Sequence, residues 1–462
     1  MSNHNKAKNN DYYMGFYKVH NDAFIPKIGL EFSAGSDLYS LFPCTIPSNH
    51  WAEIRTGVAL KFVSRVASNS KIHKLKESEE RRKKEKEEGK YCVPFQSSCK
   101  KSCKILDDAS FFLKIRSRSG MALNHNINVV SHHFEELNNE IIVTVVNTGS
   151  KEYEMEAGTR FAEAIVHLTT KEKTVGGSVK YKLIGSDKNS ILLLKDYNGM
   201  GKMPVFLAAE DCSIPPDSSK LVGTGIAVSL PSMSCYMQLQ SPPLSPCYSD
   251  INVQAGVIDA DYRGEVKVLI NNRSSGNTLR VRAKQPVAMG VVYNIACPIR
   301  EIIEIKHPEN VKPIDGNMIT VINESNLFYK KQKDMGIFSV LRENNFLFTF
   351  FMQQDLQLTH NITKICTGVF VELNTFKEQN LIADIMSIKK GIDVMSWEIN
   401  SDTEEIVLVF KNDYAWKNIL KKGERIISVF VVSSLGVACL EKVEELDVKG
   451  RGCRGFGSTG MK

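Results

Sequence analysis

The sequence predicts an all-β protein built from three tandem units, and three observations carry that expectation. A short signature occurs three times, as TGVAL at Thr56, TGIAV at Thr224 and TGVFV at Thr367. Each copy is followed by an apolar run ending in asparagine: IIVTVVN at Asn147, VKVLINN at Asn272 and IVLVFKN at Asn412. A turn and another apolar run come next, AGTRFAEAIV around Gly158, AKQPVAMGVV around Lys284 and KGERIISVFV around Gly423. One such match can arise by chance; three in register indicate an internal triplication.

The individual elements read as strands. The Val/Ile/Phe-rich runs are short and broken at close intervals by Gly, Pro, Asn and Ser. IPS at Ile46 and IPP at Ile214 stand at the same place before the first two TG signatures. Each unit is expected to be a small jelly-roll or β-barrel. The repeat places unit one at residues 11–170, unit two at 178–305 and unit three at 318–445, with a Gly-rich arm at 446–462. Unit one is longer because of an insertion at 64–110. Its middle, KLKESEERRKKEKEEGK, has helix formers and dense opposite charges, which predicts a solvated charged helix. RRKK at Arg81 could alternatively serve nuclear import. Cys92, Cys99 and Cys103 follow, with Cys44 and His73 elsewhere, but their spacing is not that of a zinc site, and free thiols on a surface loop are favoured.

Composition bounds the rest. A chain of 462 residues suits two or three domains, and 42% hydrophobic residues suffice for a buried core. No apolar run reaches the roughly 18 to 20 residues of a membrane span. The opening MSNHNKAKNNDYY is polar, and the eleven cysteines are odd in number and scattered. An intracellular protein with reduced thiols, in nucleus or cytoplasm, is the expectation. The net charge of +7 suits an anionic ligand such as a nucleoside triphosphate, and equally a nucleic acid, so it decides little.

Five segments carry chemistry: SAGSDLYS (33–40), SRSGMA (117–122), AGTRFAEAIV (157–166), GVIDADYRGEV (256–266) and RGCRGFGSTG (451–460). Together they resemble the five motifs of the dUTPase family, the third-unit tail and GVIDADYRGEV being the most specific. In that family each active site of a homotrimer draws its motifs from three subunits. Here one copy of each motif lies on the three units that one such site requires. The resemblance therefore implies a covalent pseudo-trimer, expected to be a monomer, that hydrolyses dUTP to dUMP and pyrophosphate at a single composite site. Aligned on the terminal asparagines, Asp259 corresponds to Phe134 in unit one and about Ile399 in unit three. Arg-Ser-Gly corresponds to Pro242, Pro243 and Leu244 in unit two and to about Asp384, Ile385 and Met386 in unit three.

The resemblance also assigns roles. Asp259 would be the general base that activates water for in-line attack on the α-phosphorus. Tyr262 would lie under the deoxyribose and exclude a 2′-hydroxyl. Gly256, with Ile258 beside it, would let the hairpin backbone read the uracil edge. Arg118, Ser119 and Gly120 would meet phosphate oxygens, and Glu163 stands in the fourth motif where the family usually has Gln. Asp37 would hold water on Mg²⁺ brought mainly by the triphosphate, its alternative being a turn cap. Arg451, Ser458 and Thr459 would take the γ-phosphate in a Gly-rich wrap through Gly457, and Phe456 would stack on uracil. Arg263 and Glu265 read as structural, pairing across a unit interface. Ser36, Ser117 and Arg454 depart from the family pattern, and Arg454 either adds a phosphate contact or stiffens the arm. No membrane and no nucleic acid is required. The competing reading is a retired dUTPase relative kept as an interaction protein, and a dCTP deaminase is a weaker third.

Overall fold

The three asparagine-terminated runs are strands of equal length: Glu140–Asn147, Glu265–Asn272 and Glu405–Asn412, eight residues each. In the first two, the terminal asparagine is itself buried and ties down the neighbouring turns. Asn147 Nδ2 donates to the carbonyls of Ile46 (3.0 Å) and Lys151 (2.8 Å). Asn272 Nδ2 does the same to Ile214 (2.9 Å) and Asn277 (2.7 Å). A buried amide needs such partners, which is why the position is polar inside an apolar run.

The TG signature is a β-bulge. The ladder slips between Arg55 and Ala59, between Gly223 and Ala227, and between Cys366 and Phe370. At each slip the threonine hydroxyl donates to a strand carbonyl, Thr56 to Ile141, Thr224 to Val266 and Thr367 to Ile406, all at 2.6 Å. Gly57 and Gly225 follow with φ of 67° and 65°, the left-handed backbone that a bulge of this kind requires. Their N–H groups donate to Glu140 and Glu265, both at 2.9 Å. Glu265 is thus a structural residue of its own sheet, rather than one pairing across a unit interface.

The turn after each asparagine strand also adopts positive φ, at Gly158 (78°), Lys284 (64°) and Gly423 (83°). Their N–H groups donate to Ser40, Ala208 and Met352 at 2.8 Å each. Lysine is the misfit, because its Cβ is strained where glycine's absence of one is not. Lys284→Gly is expected to stabilise the chain by about 0.5–1 kcal/mol, net of glycine's greater unfolded-state entropy, read as a higher urea midpoint.

The computed structural model describes residues 12–30, 32–64, 110–130, 132–134, 140–169, 177–184, 191–194, 203–242, 251–272, 276–295, 338–342, 347–358, 363–370, 381–387, 392–399, 403, 405–412, 418–433, 437, 439–449, 451–453 and 455. Within these, strands between residues 12 and 169 make a four-stranded sheet, a five-stranded sheet and a two-stranded ribbon. Strands between 179 and 294, joined at one edge by Leu440–Lys442, make two five-stranded sheets and a ribbon, and those between 338 and 433 make sheets of four and three strands and a ribbon. One short helix, Ser119–His125, is found among the described residues. None of their helices is long and apolar enough to cross a membrane. The expected charged helix of the insertion lies outside the described residues, apart from the strand ends at Ser64 and Ser110.

The first group of sheets closes on a core that includes Phe16, Leu38, Ile115, Val143 and Phe161, the second on one that includes Phe206, Ile226, Met237, Val268 and Val292. A third cluster joins the groups, packing Ala34 and Ile165 against Val205, Tyr236, Met289 and Tyr293. Within it the Tyr236 hydroxyl meets the His167 ring nitrogen at 2.7 Å; burial of a phenol calls for such a partner. This apolar seam fixes the edge of the first group, at Ala34, against the second. Residues 437 and 439–442, at the end of the expected unit three, lie against the second group. Val437 packs into the second group's core, and the strand Leu440–Lys442 runs parallel to Val179–Leu183 as that sheet's edge. Open backbone bonds on an edge strand recruit a partner, and here a distant segment of the same chain supplies it.

Candidate active site

The site forms where this seam meets the returning C-terminal segment. Strand Ser36–Tyr39 pairs with Arg160–Thr169, so that Asp37 stands opposite Glu163; on the other side Glu163 stands opposite Arg116 of strand Ser110–Ser117. Two carboxylates face to face on a sheet repel, and guanidinium groups offset this. Arg118 Nε lies 3.0 Å from Asp37 Oδ1 and Arg160 Nη1 lies 3.2 Å from Asp37 Oδ2. Arg118 also donates to the Arg160 carbonyl at 3.2 Å. Arg160 had no role in the sequence reading, although it opens the strand of the fourth motif. An Arg beginning a β-strand gives no signal of its own; its fold across to Asp37 is tertiary.

Glu163 is held differently. Its Oε1 accepts the Gly35 N–H at 3.1 Å. Burial first, then the charges of Asp259 and Asp37, push its carboxyl up to about 8, against the pull of Arg118 and the Gly35 bond. The protonated acid is thereby favoured well above the usual carboxylate range. Gly35 has no room for a side chain, since a Cβ there would run into the Ala164 carbonyl and approach Glu163 Cγ to 2.8 Å.

Asp259 closes the arrangement from the second group. It ends the strand Val257–Asp259, is 6% exposed, and takes the Ala34 N–H on Oδ1 at 2.7 Å. Its Oδ2 is ion-paired with Arg451 Nη1 of the C-terminal segment. Burial raises its pKa, opposed by Arg451 and by the Ala34 N–H. One carboxylate thus gathers three stretches of chain that are remote in sequence.

Tyr262 lies beside it, 8% exposed, with its hydroxyl donating to the Glu265 carbonyl at 2.9 Å. Arg451 stands 6.0 Å over its ring, and Gly452 bridges to its backbone. Gly256 has φ 83° and Ala255 before it φ 55°, the pair of positive values a tight turn uses. A Cβ on Gly256 would meet Leu239 Cβ at 2.9 Å, and its carbonyl already accepts the Leu239 N–H at 2.8 Å. Ile258 is 6% exposed and belongs to the core of the second group. Ser119 and Gly120 begin the short helix directly after Arg118. Arg454, Phe456, Gly457, Ser458 and Thr459 lie outside the described residues.

Arg263, expected to be structural and to pair across a unit interface, is bound to the C-terminal segment. Its side chain reaches Asp447 (2.9 Å) and the carbonyls of Ala260 and Tyr262 (2.8 Å each).

Strand register shows what stands at this place elsewhere. In the second group Val205 and Met289 pair at the position of Asp37 and Glu163, with Gln240 opposite Met289 as Arg116 is opposite Glu163. In the third, Thr349 and Met386 flank Ser428 in the same way. Two sequence alignments shift accordingly. Met386 takes the place of Arg116, so the counterpart of Arg-Ser-Gly falls at 388–390, outside the described residues. Phe134 pairs with Leu113 as Ile258 pairs with Met237. The counterpart of Asp259 is therefore residue 135, also outside the described residues, because the connection to the asparagine strand is shorter by one residue there.

A dUTPase family model matches residues 206–316. The deoxyuridine 5′-triphosphate nucleotidohydrolase of Corynebacterium diphtheriae is 31% identical over 109 residues, which are 22% of this chain and 71% of that protein. The chain belongs to the dUTPase family. The same-named protein of Corynebacterium jeikeium is 32% identical over 101 residues, 21% of this chain and 64% of its own length, and that of Vaccinia virus (strain Copenhagen) is 31% identical over 97 residues, 21% and 64%. The chain thus spans about two thirds of the length of these dUTPase relatives, and they align with about a fifth of it. Among solved structures, an EIAV dUTPase is 18% identical and covers 30% of this chain and 99% of its own, with a TM-score of 0.22.

Proposed function

We propose that the chain hydrolyses dUTP to dUMP and pyrophosphate at one composite site, built by three tandem dUTPase-like units within a monomer. The observation that carries this reading is Asp259, whose carboxylate is bonded to Ala34 of the first group and to Arg451 of the C-terminal segment. Asp259 acts as general base on the attacking water, its burial keeping the proton affinity high enough to take a proton. For that it must leave Arg451, which the triphosphate draws away to its own oxygens as a stronger anion. Arg118 and Ser119 meet the phosphates, Tyr262 forms the sugar platform, and the turn at Gly256 presents backbone to the uracil edge. The unmatched positions in the other groups, Val205 and Met289 or Thr349 and Ser428, support a single site.

Asp37 fits a magnesium-dependent chemistry. Among the described residues no cluster of three or more His, Cys, Asp or Glu is placed to hold a metal ion. A single carboxylate beside the phosphate donors suits Mg²⁺ that arrives on the nucleotide and keeps its waters, one of them on Asp37. Bound there, the cation would neutralise triphosphate charge.

Light scattering on the eluting protein, with pyrophosphate release from dUTP measured across the same peak, tests the proposal. Turnover should coincide with the 51.8 kDa chain mass. A peak at three times that mass would remove the monomer. A folded protein without turnover would favour the retired interaction protein.

Glu163 gives a pH signature. Below about 8 its neutral acid offers a donor and an acceptor, as the family's Gln does. As pH rises through about 8 it gains a charge facing the triphosphate, so KM for dUTP should climb, by roughly tenfold for one added charge at this range. Glu163→Gln should keep the low KM across that window. The same group is raised from 4.5 on folding, so its share of stability is full below 4.5 and is lost as pH rises to about 8.

A further inference from the structure

Between the edge strand Leu440–Lys442 and Arg451 the chain passes Asp447, which no motif includes. Asp447 Oδ1 takes Arg263 Nη2 at 2.9 Å and Nε at 3.0 Å, and also the Ser229 hydroxyl at 3.1 Å. Its Oδ2 lies 2.9 Å from Lys449 Nζ, and its main-chain carbonyl takes Arg263 Nε at 3.1 Å. Burial pushes its carboxyl up, but Lys449, Arg263 and Ser229 outweigh this and hold it at about 2. The neighbouring Val448 is 96% exposed, so the segment touches the body of the protein through Asp447 and not through apolar packing at that point.

Arg263 is the other half of the contact. Its side chain is 8% exposed, and its Nη1 is spent on the carbonyls of Ala260 and Tyr262. Its backbone N–H donates to the Gly452 carbonyl at 2.8 Å. One residue of the turn that follows Asp259 thus grips the C-terminal segment at two points, Asp447 by side chain and Gly452 by main chain, with Arg451 directly before the second. Chain tethered at Asp447 has few places to go, and a short tether raises the local concentration of what it carries.

We propose that Asp447 is a positioning residue for the hydrolysis: clamped to Arg263 and Ser229, it anchors the C-terminal segment so that Arg451 is delivered to Asp259 and to the phosphates. The catalytic half of this rests on the function proposed above. Asp447 touches neither substrate nor reacting atoms; it acts through Arg263 and Arg451. Breaking a half-exposed ion pair with extra hydrogen bonds has a roughly five- to tenfold effect.

The test uses the full chain with Asp447→Ala, Asp447→Asn and Asp447→Glu, hydrogen exchange over residues 440–453 and 258–268, and steady-state turnover of dUTP. Ala and Asn should speed exchange at residues 440–453 and at the Arg263 amide about tenfold, leave strands Ser218–Ser229 and Glu265–Asn272 unchanged, and lower kcat/KM five- to tenfold. Glu, which restores the carboxylate, should recover most of both. Unchanged exchange in the Ala and Asn variants would overturn the anchor. Faster exchange with kcat/KM within twofold of wild type would overturn its role in catalysis. A wild-type chain that does not turn over dUTP would overturn the functional reading alone, since exchange decides the anchor independently.

Discussion

Replacing Asp259 with Asn is expected to lower kcat for dUTP about 10³-fold, the scale of a lost general base, while KM or analogue affinity changes little. The variant keeps a carbonyl oxygen for the Ala34 N–H, now at 2.7 Å from Oδ1, so the seam between the first two groups stays formed. What it loses is the carboxylate that is ion-paired with Arg451 and that the proposal makes the proton acceptor. With that ion pair gone, Arg451 can turn to the phosphates, and ground-state binding persists. That split between turnover and binding marks an interaction used only in the transition state. Asp259→Ala should be as slow. Turnover of Asp259→Asn within tenfold of wild type would remove Asp259 as the base.

Deleting residues 451–462 should lower kcat by roughly 10²- to 10³-fold without unfolding the chain, the scale of removing preorganised donors around a transferring phosphoryl group. The truncation keeps the edge strand Leu440–Lys442 and Asp447 with their contacts to the second group. It removes the partner of Asp259 and the Gly452 bridge to Tyr262. A separate peptide of the same sequence should restore little, because it lacks the effective concentration that tethering gives. Circular dichroism matching the parent, together with retained turnover, would make the segment dispensable.

The parts of this fold legible in the sequence are those whose chemistry is local. The TG pairs declare themselves because a bulge needs a left-handed glycine and an hydroxyl for the displaced carbonyl, and Thr56, Thr224 and Thr367 make that bond identically. The asparagines ending the strands are legible for the same reason. Asp37, Arg118, Glu163, Asp259, Tyr262 and Arg451 were named from motifs and are brought together. Three features were not legible. Arg160 has no local signature, and its use by Asp37 depends on strand pairing. The path of residues 437–449 is a choice of sheet edge made by tertiary structure, and LEKVEELDVK alternates too weakly to announce a strand. The raised carboxyl of Glu163 follows from burial and then from the charges of Asp259 and Asp37, which brings a residue that reads as added charge closer to the family's Gln.

A calorimetric titration of the full chain with a non-hydrolysable dUTP analogue and Mg²⁺ counts the sites. If Asp37, Glu163 and Asp259 form the one working constellation while Val205 with Met289 and Thr349 with Ser428 occupy the matching places, the titration should saturate at one nucleotide per chain, and Asp37→Ala with Arg118→Ala should abolish it. Saturation at two or three nucleotides per chain, or binding that survives the double substitution, would contradict a single composite site.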